Sequence, residues 1–400
     1  MRIYFYFFIS CLCYACQQKE VTPPYNIIYI TLEDLSPYLG CYGDTLVQSP
    51  NIDAFAREAL RFEDAHCQVA LCTPSRTSIL TGIRPSTSDI VKIDDDWQAM
   101  LPDAVSLPRH FKDNGYYTHA LGKISDPRNG GMDDAWHIKE EEWSIKDNAL
   151  IPATLETIKA QDQLFFLAIG YGQTHDPWHP TEQHLAKYDT ARIELLGDGM
   201  IYKKEEKSAT EIKDILHRYY ASITEVDSLV GDLLAQLRAA DLLDNSIIIL
   251  GVLDHGYSLG LHNKWGKGDN YDNETQVPLF IRVPNHDSQG KRTPALVELV
   301  DIYPTLLDYC NLPNPTQTLE GHSLREWIEV SSSSGKPTIF THRAYHVQEV
   351  AIKTKAYNLL TKDGIPIQLF DRINDPNNLT DILKDRPEVV KELMESAELD

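Results

Sequence analysis

The most informative stretch of the sequence is Leu71-Cys72-Thr73-Pro74-Ser75-Arg76-Thr77-Ser78-Ile79-Leu80-Thr81-Gly82. Thr73 is a suitable N-cap and Pro74 suits the first helical position, so the pattern predicts a helix that ends at the closing glycine. Cys72 then lies at a helix N-terminus, where the dipole and the free N–H groups favour an anion. Arg76 lies within the first turn and can reach back to the same point. On physical grounds alone, a cysteine packed beside a helix cap remains the alternative.

Short apolar runs on both sides of this stretch alternate with helical patterns. The β-branched run Ile27–Ile30 suits a strand buried on both faces. Further strand candidates are Leu164–Ile169, Ile247–Val252 and Pro278–Val283, and helical patterns begin at Ser49-Pro50 and cover Leu107–Asn114 and Thr210–Leu243. The alternation predicts an α/β fold built around a mostly parallel sheet.

The last quarter of the chain has a different pattern. Ser331–Ser334 is typical of a linker, so we predict a principal domain over residues 21–330 and a small C-terminal subdomain over residues 337–400. Its strand-like pieces are Ile339–Thr341, Glu349–Thr354, Tyr357–Thr361 and Ile367–Phe370, with a terminal helix over Pro387–Ser396. This pattern predicts a small antiparallel sheet with one helix, too small to be stable alone.

The N-terminus is typical of an export signal. Arg2 precedes the apolar run Ile3–Ala15, which is too short to span a bilayer but long enough for a signal-peptide core. Residues 1–16 are therefore predicted to be a signal peptide. The small Ala15 before Cys16 resembles a lipoprotein cleavage site, and simple secretion is the alternative. Both predict an exported bacterial protein, in the periplasm or anchored to the outer membrane through a lipid on Cys16.

Composition excludes some classes of partner. The 400 residues carry a formal net charge of −22, which argues against nucleic acid and against an anionic membrane surface. An anion-binding site must therefore be a local cluster of cations within an acidic shell. Beyond the leader the cysteines are Cys41, Cys67, Cys72 and Cys310. These are too few for a disulfide scaffold, although a Cys41–Cys67 bridge stays open.

The pattern Cys72-x-Pro74-Ser75-Arg76, closed by Leu80-Thr81-Gly82, resembles the signature of the type I, formylglycine-dependent sulfatases. Other segments resemble the iduronate-2-sulfatase-like members of that family: Asp34-Leu35-x-Pro37-x-Leu39-Gly40-Cys41-Tyr42-Gly43-Asp44, Ser49-Pro50-Asn51-Ile52-Asp53, Asp254-His255-Gly256 and Leu299-Val300-Asp301-Ile302-Tyr303-Pro304-Thr305-Leu306. The resemblance covers nearly all of the mature chain and implies an alkaline-phosphatase-like α/β/α sandwich. It also implies that a maturation enzyme oxidises Cys72 to formylglycine, whose hydrate attacks sulfur.

Acidic residues follow two of the predicted strands. Glu33 and Asp34 come after the first strand, and Asp254-His255 come after a later one, at the ends where open α/β sheets build their sites. Oxygen ligands of this kind suit Ca²⁺ or Mg²⁺, although an isolated Glu-Asp pair is more often a solvated loop. The resemblance implies a Ca²⁺ site formed by Glu33, Asp34, Cys72, Asp254 and His255. Glu33 departs from the family, which usually has an aspartate there.

The resemblance also implies a set of groups that hold the sulfate. Arg76, Lys123 and Lys267 match positions that offset negative charge in the transition state. His175 matches a histidine near the leaving-group oxygen, where a general acid would serve.

Asp126 is the main departure, because the iduronate-2-sulfatase-like members of the family carry a histidine there. A carboxylate would repel sulfate unless it is protonated, turned away or paired with a cation such as Arg128. The irregular segments Trp136–Ile151 and Tyr188–Ser208 are predicted to contribute to the rim of the site.

The expected function is hydrolysis of a sulfate ester on a sulfated sugar or polysaccharide. Two alternatives stay open: a phosphate or phosphonate ester hydrolase of the same superfamily, and a non-catalytic surface protein that binds sulfated glycans. The expected partners are the sulfated carbohydrate and a formylglycine-generating maturation enzyme.

Overall fold

The computed structural model describes residues 25–129, 131–140, 143–330 and 335–397. The predicted signal peptide at residues 1–16, including Cys16, and the predicted linker Ser331–Ser334 lie outside the described residues. Within the described part of the chain, no helix is both long enough and apolar enough to cross a membrane.

The strands, in chain order, are β1 (Asn26–Leu32), β2 (Leu60–His66), β3 (Tyr117–Gly122), β4 (Ile138–Glu140), β5 (Phe165–Tyr171), β6 (Ile201–Tyr202), β7 (Glu205–Glu206), β8 (Ser246–Gly251), β9 (Ser258–Leu259), β10 (Trp265–Gly266), β11 (Gln276–Arg282), β12 (Arg292–Glu298), β13 (Ile339–Arg343), β14 (His346–Lys353), β15 (Tyr357–Lys362) and β16 (Ile365–Asp371). The helices are α1 (Pro50–Phe55), α2 (Cys72–Thr81), α3 (Pro85–Ser88), α4 (Trp97–Met100), α5 (Leu107–Asp113), α6 (Ile151–Lys159), α7 (Glu182–Leu185), α8 (Ala209–Ala239), α9 (Asp272–Thr275), α10 (Ile302–Cys310), α11 (Arg325–Glu329) and α12 (Pro387–Ala397).

A central eight-stranded sheet has the order β12-β2-β11-β8-β1-β5-β3-β4. The pairs from β8 to β4 are all parallel, and β11 runs antiparallel to both of its neighbours. The predicted α/β fold with a mostly parallel sheet is confirmed, and the four apolar runs predicted as strands fall on β1, β5, β8 and β11. Because β1, β3, β5 and β8 are parallel neighbours, their carboxyl ends meet at one edge.

The central strands of this sheet carry apolar side chains that are buried on both faces. Ile27, Ile28 and Ile30 of β1 are fully buried, as a strand covered on both faces requires. The longest helix, α8, packs against α1, α6 and α7 and starts with a capping box between Ser208 and Glu211.

Helix α2 begins earlier than the sequence predicts. Its first residue is Cys72 and its N-cap is Leu71, which makes no side-chain capping bond, so the prediction that Thr73 caps the helix is wrong. The Ser75 N–H donates to the Leu71 carbonyl at 3.0 Å and thereby includes Cys72 in the first turn. The Thr73 hydroxyl instead donates to the Ile93 carbonyl. The helix ends at Gly82 in the left-handed region, as predicted.

The C-terminal strands form a separate antiparallel sheet with the order β13-β14-β15-β16, and α12 packs on it. This sheet is joined to the larger part of the protein next to the cysteine motif. The His342 N–H donates to the Gln68 carbonyl at 2.7 Å, and His342 forms a parallel bridge with Val69. The predicted C-terminal sheet therefore exists, and it supports the segment that leads into α2.

A buried ion-pair network forms a second contact between the C-terminal sheet and the larger part of the protein. Arg372, from the segment after β16, donates to Asp64 at 2.6 Å and to Asp272 at 2.7 Å. Lys353 of β14 is fully buried and lies 2.7 Å from the same Asp272 carboxylate. Each buried charge in this contact has a partner, so removal of one partner would leave an uncompensated buried charge.

Candidate active site

The carboxyl-end edge of the parallel strands collects the predicted site residues. Glu33 and Asp34 follow β1, Lys123 follows β3, and Asp254 follows β8. His175 lies beyond β5, Lys267 follows β10, and α2 contributes its first turn. The structure thus brings to one place all of the predicted residues: Glu33, Asp34, Cys72, Arg76, Lys123, His175, Asp254, His255 and Lys267.

Cys72 lies at the bottom of this site and is 1% exposed. Its Sγ lies 3.4 Å from His255 Nε2 and 3.2 Å from Lys267 Nζ. The four cysteines within the described residues are free, so the Cys41–Cys67 bridge does not form.

The charges around the thiol favour its anion. Burial and the Asp254 carboxylate raise the pKa of Cys72, but Lys267, Lys123 and His175 more than offset them and hold it at about 6. A buried position that stabilises negative charge in this way suits a nucleophile or an anionic substrate oxygen.

Four buried residues form a cluster fit for a metal ion. One donor atom each from Asp34, Cys72, Asp254 and His255 lies within 4.8 Å of the others. Asp34 Oδ2 and Asp254 Oδ1 are buried and have no hydrogen-bond partner among the described residues. Such oxygens need a compensating cation, and carboxylates suit a hard divalent ion such as Ca²⁺ or Mg²⁺. The donor set therefore fits the predicted metal site.

Asp34 is held in an unusual backbone conformation to reach this cluster. Its φ of 46° is in the left-handed region, which few residues other than glycine adopt. Burial raises the pKa of Asp34, but the cations Lys267, His175 and His255 lower it by more. The net effect is a pKa below the usual value, so the carboxyl group is ionised. Lys267 Nζ donates to Asp34 Oδ1 at 2.6 Å and so contacts both the carboxylate and the thiol.

Glu33 lies outside the cluster of four. Its Oε1 accepts a hydrogen bond from Arg76 Nη2 at 2.8 Å and lies 3.0 Å from Lys123 Nζ. The extra methylene of Glu33 suits this arrangement, because it carries the carboxylate towards the two cations. As a metal ligand, Glu33 stays a prediction.

Both terminal nitrogens of Arg76 hold parts of the site together. Nη1 donates to the carbonyls of Lys123 and Ile124 at 3.0 and 3.1 Å, and Nη2 donates to Glu33 and to Asp254 at 3.1 Å. Its side chain is 2% exposed. Arg76 therefore fixes two carboxylates and the loop that carries Lys123, and its predicted contact with sulfate stays a prediction.

His175 lies at the open side of the site, with 39% of its side chain exposed. Its Nδ1 hydrogen-bonds with the Asp176 carbonyl at 2.6 Å, so Nδ1 carries a proton and Nε2 faces Asp34 Oδ2 at 3.9 Å. Burial lowers the pKa of His175, but Asp34 and Cys72 raise it to about 9. A protonated imidazole at the mouth can donate a proton to a departing group.

The contacts of Asp126 resolve the main departure noted in the sequence. Its buried carboxylate accepts from Arg128 Nε at 2.8 Å and from Arg128 Nη2 at 2.5 Å. Lys123 Nζ lies 3.6 Å away. Burial raises the pKa of Asp126, but Arg128 and Lys123 lower it by more. The carboxylate is therefore ionised and paired with these cations. The sequence named pairing with Arg128 as one of three alternatives, and the structure shows that one.

Comparison with known proteins gives the family. The family described as Sulfatase matches residues 25–312, and the one described as N-sulphoglucosamine sulphohydrolase, C-terminal, matches residues 260–398. Iduronate 2-sulfatase of Homo sapiens is 30% identical over 404 residues, covering 77% of this chain and 73% of the relative. A sulfatase of Formosa agariphila is 28% identical over 426 residues, covering 90% of this chain and 83% of the relative.

Solved structures share the fold. A structure in complex with its substrate, D-glucosamine-2-N,6-O-disulfate, superposes with a TM-score of 0.77 at 21% identity, covering 94% of this chain and 97% of the other. A phosphonate monoester hydrolase of Agrobacterium radiobacter superposes with a TM-score of 0.78 at 19% identity, covering 94% of each chain. The architecture is thus the expected alkaline-phosphatase-like α/β/α sandwich. From the family match over most of its length, the chain belongs to the sulfatase family and is a sulfuric ester hydrolase.

Proposed function

We propose that the protein removes sulfate from a sulfated sugar or polysaccharide, with formylglycine made from Cys72 as nucleophile and with Ca²⁺ as metal. The observation that carries the proposal is the buried cluster of Cys72, Asp34, Asp254 and His255, with Lys267 beside it. The substrate class is supported by the names of the relatives, which include iduronate 2-sulfatase and an ulvan-active sulfatase of Formosa agariphila.

The carboxylates of Asp34 and Asp254, with His255 and residue 72, would hold the calcium ion. When bound, the ion would supply positive charge that polarises a sulfate oxygen. Asp34 Oδ2 and Asp254 Oδ1 support this assignment, because both are buried and neither accepts a hydrogen bond from the described residues.

Lys267 and Lys123 would offset negative charge on the sulfate. Lys267 Nζ already contacts Sγ and Asp34, so its position is fixed before substrate enters. Lys123 is held by Glu33 at 3.0 Å and is buried. Because both cations are oriented in advance, they stabilise developing charge without reorganising.

His175 would protonate the leaving oxygen of the sugar. Its Nδ1 is fixed by the Asp176 carbonyl, and Asp176 is itself held by the Tyr202 hydroxyl and by Lys203 at 2.9 Å. These contacts orient the ring so that Nε2 points into the site.

The test begins with the chemical state of residue 72. The protein would be co-expressed with a formylglycine-generating enzyme, with Cys72→Ala as control. The mass of the peptide that carries residue 72 would then be measured by mass spectrometry. We expect an aldehyde at position 72 and sulfate release from sulfated sugars that EDTA abolishes and Ca²⁺ restores. An aldehyde without sulfate release from any sugar, but with binding of sulfated glycans, would support the non-catalytic alternative.

A second candidate is hydrolysis of phosphate or phosphonate esters, favoured by the superposition on the phosphonate monoester hydrolase. Paired aryl sulfate and aryl phosphate substrates separate the two functions. A higher kcat/KM on the phosphate would overturn the sulfatase proposal.

We also propose that the protein is exported and that Cys16 carries a lipid. The apolar run Ile3–Ala15 supports export, and the small residue before Cys16 supports the lipid. The mass of the mature N-terminal peptide from a bacterial membrane fraction tests both proposals. A soluble periplasmic protein cleaved elsewhere would refute the lipid alone.

A further inference from the structure

The rim of the site beside Lys123 carries a cation and an aromatic ring that the proposed reaction does not use. The Arg128 side chain is 45% exposed, and Trp143 is 56% exposed. The Arg128 guanidinium carbon lies 5.9 Å from the centroid of the Trp143 ring. An exposed tryptophan next to an arginine offers a flat apolar surface and a fork of N–H donors, which suits a charged sugar.

The buried Asp126 carboxylate fixes the position of the Arg128 guanidinium group. Its Nε and Nη2 both donate to the buried Asp126 carboxylate, so one edge of the guanidinium is occupied. The other edge, with Nη1, points away from Asp126 because the group is planar. Such a group is pre-organised and loses little conformational entropy when it binds an anion.

The pair also lies next to the groups that hold sulfate. Asp126 Oδ2 is 3.6 Å from Lys123 Nζ, and Lys123 is ion-paired with Glu33. An anion bound to the outer edge of Arg128 would therefore lie beside the sulfate site.

Trp143 is held at the same side by the segment that follows it. The Gly172 N–H donates to Ser144 Oγ at 3.1 Å, just beyond the end of β5. A Cβ on Gly172 would lie 2.8 Å from Ser144 Oγ and 3.4 Å from Glu33 Oε2, so this glycine lies between the Trp143 segment and the active-site carboxylate. The Gln173 side chain also donates to the Ile145 carbonyl at 2.9 Å. The rim residue is thus attached directly to the edge of the site.

From this placement we propose that Asp126, Arg128 and Trp143 form a subsite for a second anionic group on the sugar that carries the scissile sulfate. Arg128 binds the anion, a carboxylate or a further sulfate, while Trp143 stacks on the ring and Asp126 orients the guanidinium. The inference rests on the proposed function and names the substrate class more narrowly: sugars with at least two negative charges.

The test compares three methyl glycosides that share one scissile sulfate: one with no other charge, one with a carboxylate and one with a second sulfate. For the matured enzyme we expect a higher kcat/KM on at least one of the doubly charged sugars. Arg128→Gln should lower that preference by about 10- to 100-fold, as expected for loss of a charge-assisted hydrogen bond. The two doubly charged sugars show whether carboxylate or sulfate is the group bound.

Two further variants separate recognition from repulsion. Arg128→Gln leaves the Asp126 charge without its arginine, so Asp126→Asn/Arg128→Gln is measured beside it. If the double variant keeps the low preference, Arg128 recognises the anion. If it regains the wild-type preference, Arg128 only neutralises Asp126 and the proposal is wrong. Arg109→Gln, which removes an exposed arginine paired with Asp113 on α5, is the matched control and should change nothing.

Binding to the inactive Cys72→Ala protein gives a readout that does not need turnover. Calorimetry with the same sugars should show tighter binding of a doubly charged sugar, lost in Cys72→Ala/Arg128→Gln and weakened in Cys72→Ala/Trp143→Ala. Arg128-dependent binding without any sulfate release by the matured enzyme would refute the proposed function and keep the subsite. Sulfate release with equal preferences in all variants would refute the subsite and keep the function.

Discussion

Replacement of Arg76 by methionine tests whether this residue is the structural centre of the site. Methionine roughly keeps the volume and removes the charge and all of the N–H donors. The variant leaves the buried carboxylates of Glu33 and Asp254, 4% and 0% exposed, without their arginine. It also leaves the carbonyls of Lys123 and Ile124 without its hydrogen bonds.

The magnitude follows from these contacts. Breaking a buried ion pair by removing one partner costs about 3–5 kcal/mol. Two hydrogen bonds to backbone carbonyls add about 1 kcal/mol each. Lys123 still lies 3.0 Å from Glu33 and offsets part of the loss. We therefore expect Arg76→Met to lower the free energy of unfolding by about 3–5 kcal/mol, a large share of the roughly 5–15 kcal/mol typical of a folded domain.

The assay is urea unfolding in EDTA, followed by the shift in midpoint at a common slope. Arg109→Met is the matched control, because its ion pairs with Asp113 and Asp134 are both exposed and should each be worth less than about 1 kcal/mol. Glu33→Gln combined with Arg76→Met should destabilise by less than the sum of the single changes, because the two side chains are in contact. A loss below about 1 kcal/mol in Arg76→Met would refute the reasoning.

Three other perturbations test the site and the attachment of the C-terminal sheet. His175→Gln should lower kcat far more on sugar sulfates than on aryl sulfates with good leaving groups. Burial lowers the pKa of His175 and the Asp34 carboxylate raises it, and a general acid is active only when it is protonated; wild-type activity should therefore fall as pH rises through the pKa of His175, while the variant shows no such limb. An equal loss on both substrates would exclude a general acid. Asp34→Asn and Asp254→Asn should abolish the rise in Tm that Ca²⁺ gives the wild type, and an unchanged rise would place the metal elsewhere. Asp272→Asn should destabilise the protein at pH 7, where Arg372 and Lys353 hold the pKa of Asp272 far below its usual value. The depressed pKa means that this stability is fully present above the unfolded pKa of about 4 and declines as pH falls from there towards the much lower folded pKa. The difference in unfolding free energy between wild type and variant should therefore be smaller at pH 3 than at pH 7, and a difference that is the same at both pH values would contradict the assignment.

Much of the site was accessible from the sequence, because each residue belongs to a short motif whose backbone position is set by a neighbouring strand or helix. Asp34 and Asp254 follow runs of buried β-branched residues, so the ends of two parallel strands bring them together. The start of α2 was misplaced by two residues because side-chain capping preferences favour Thr73, whereas the bond from Ser75 to the Leu71 carbonyl starts the helix earlier.

Long-range ion pairs were beyond what sequence patterns convey. Nothing local indicates that Arg372 would pair with Asp64, 308 residues away in sequence. The role of Glu33 as a partner of Arg76 and Lys123 depends on where its carboxylate lies, and its motif looked like a metal ligand. Trp143 falls in a segment predicted to form the rim, but its position next to Arg128 depends on tertiary contacts of that segment, such as the one between Ser144 and Gly172, which the sequence does not indicate.

The burial of Cys72 has a consequence for the order of events during synthesis. The groups that enclose its sulfur are made late: His255 and Lys267 follow it by 183 and 195 residues. At about 5–20 residues per second, the thiol emerges roughly 10–40 s before they do. The thiol is therefore accessible to solvent and to other proteins while the chain is being synthesised, and it is buried once the fold is complete. Any enzyme that acts on this cysteine must therefore bind the chain before the second half of the protein folds, because that folding buries the thiol.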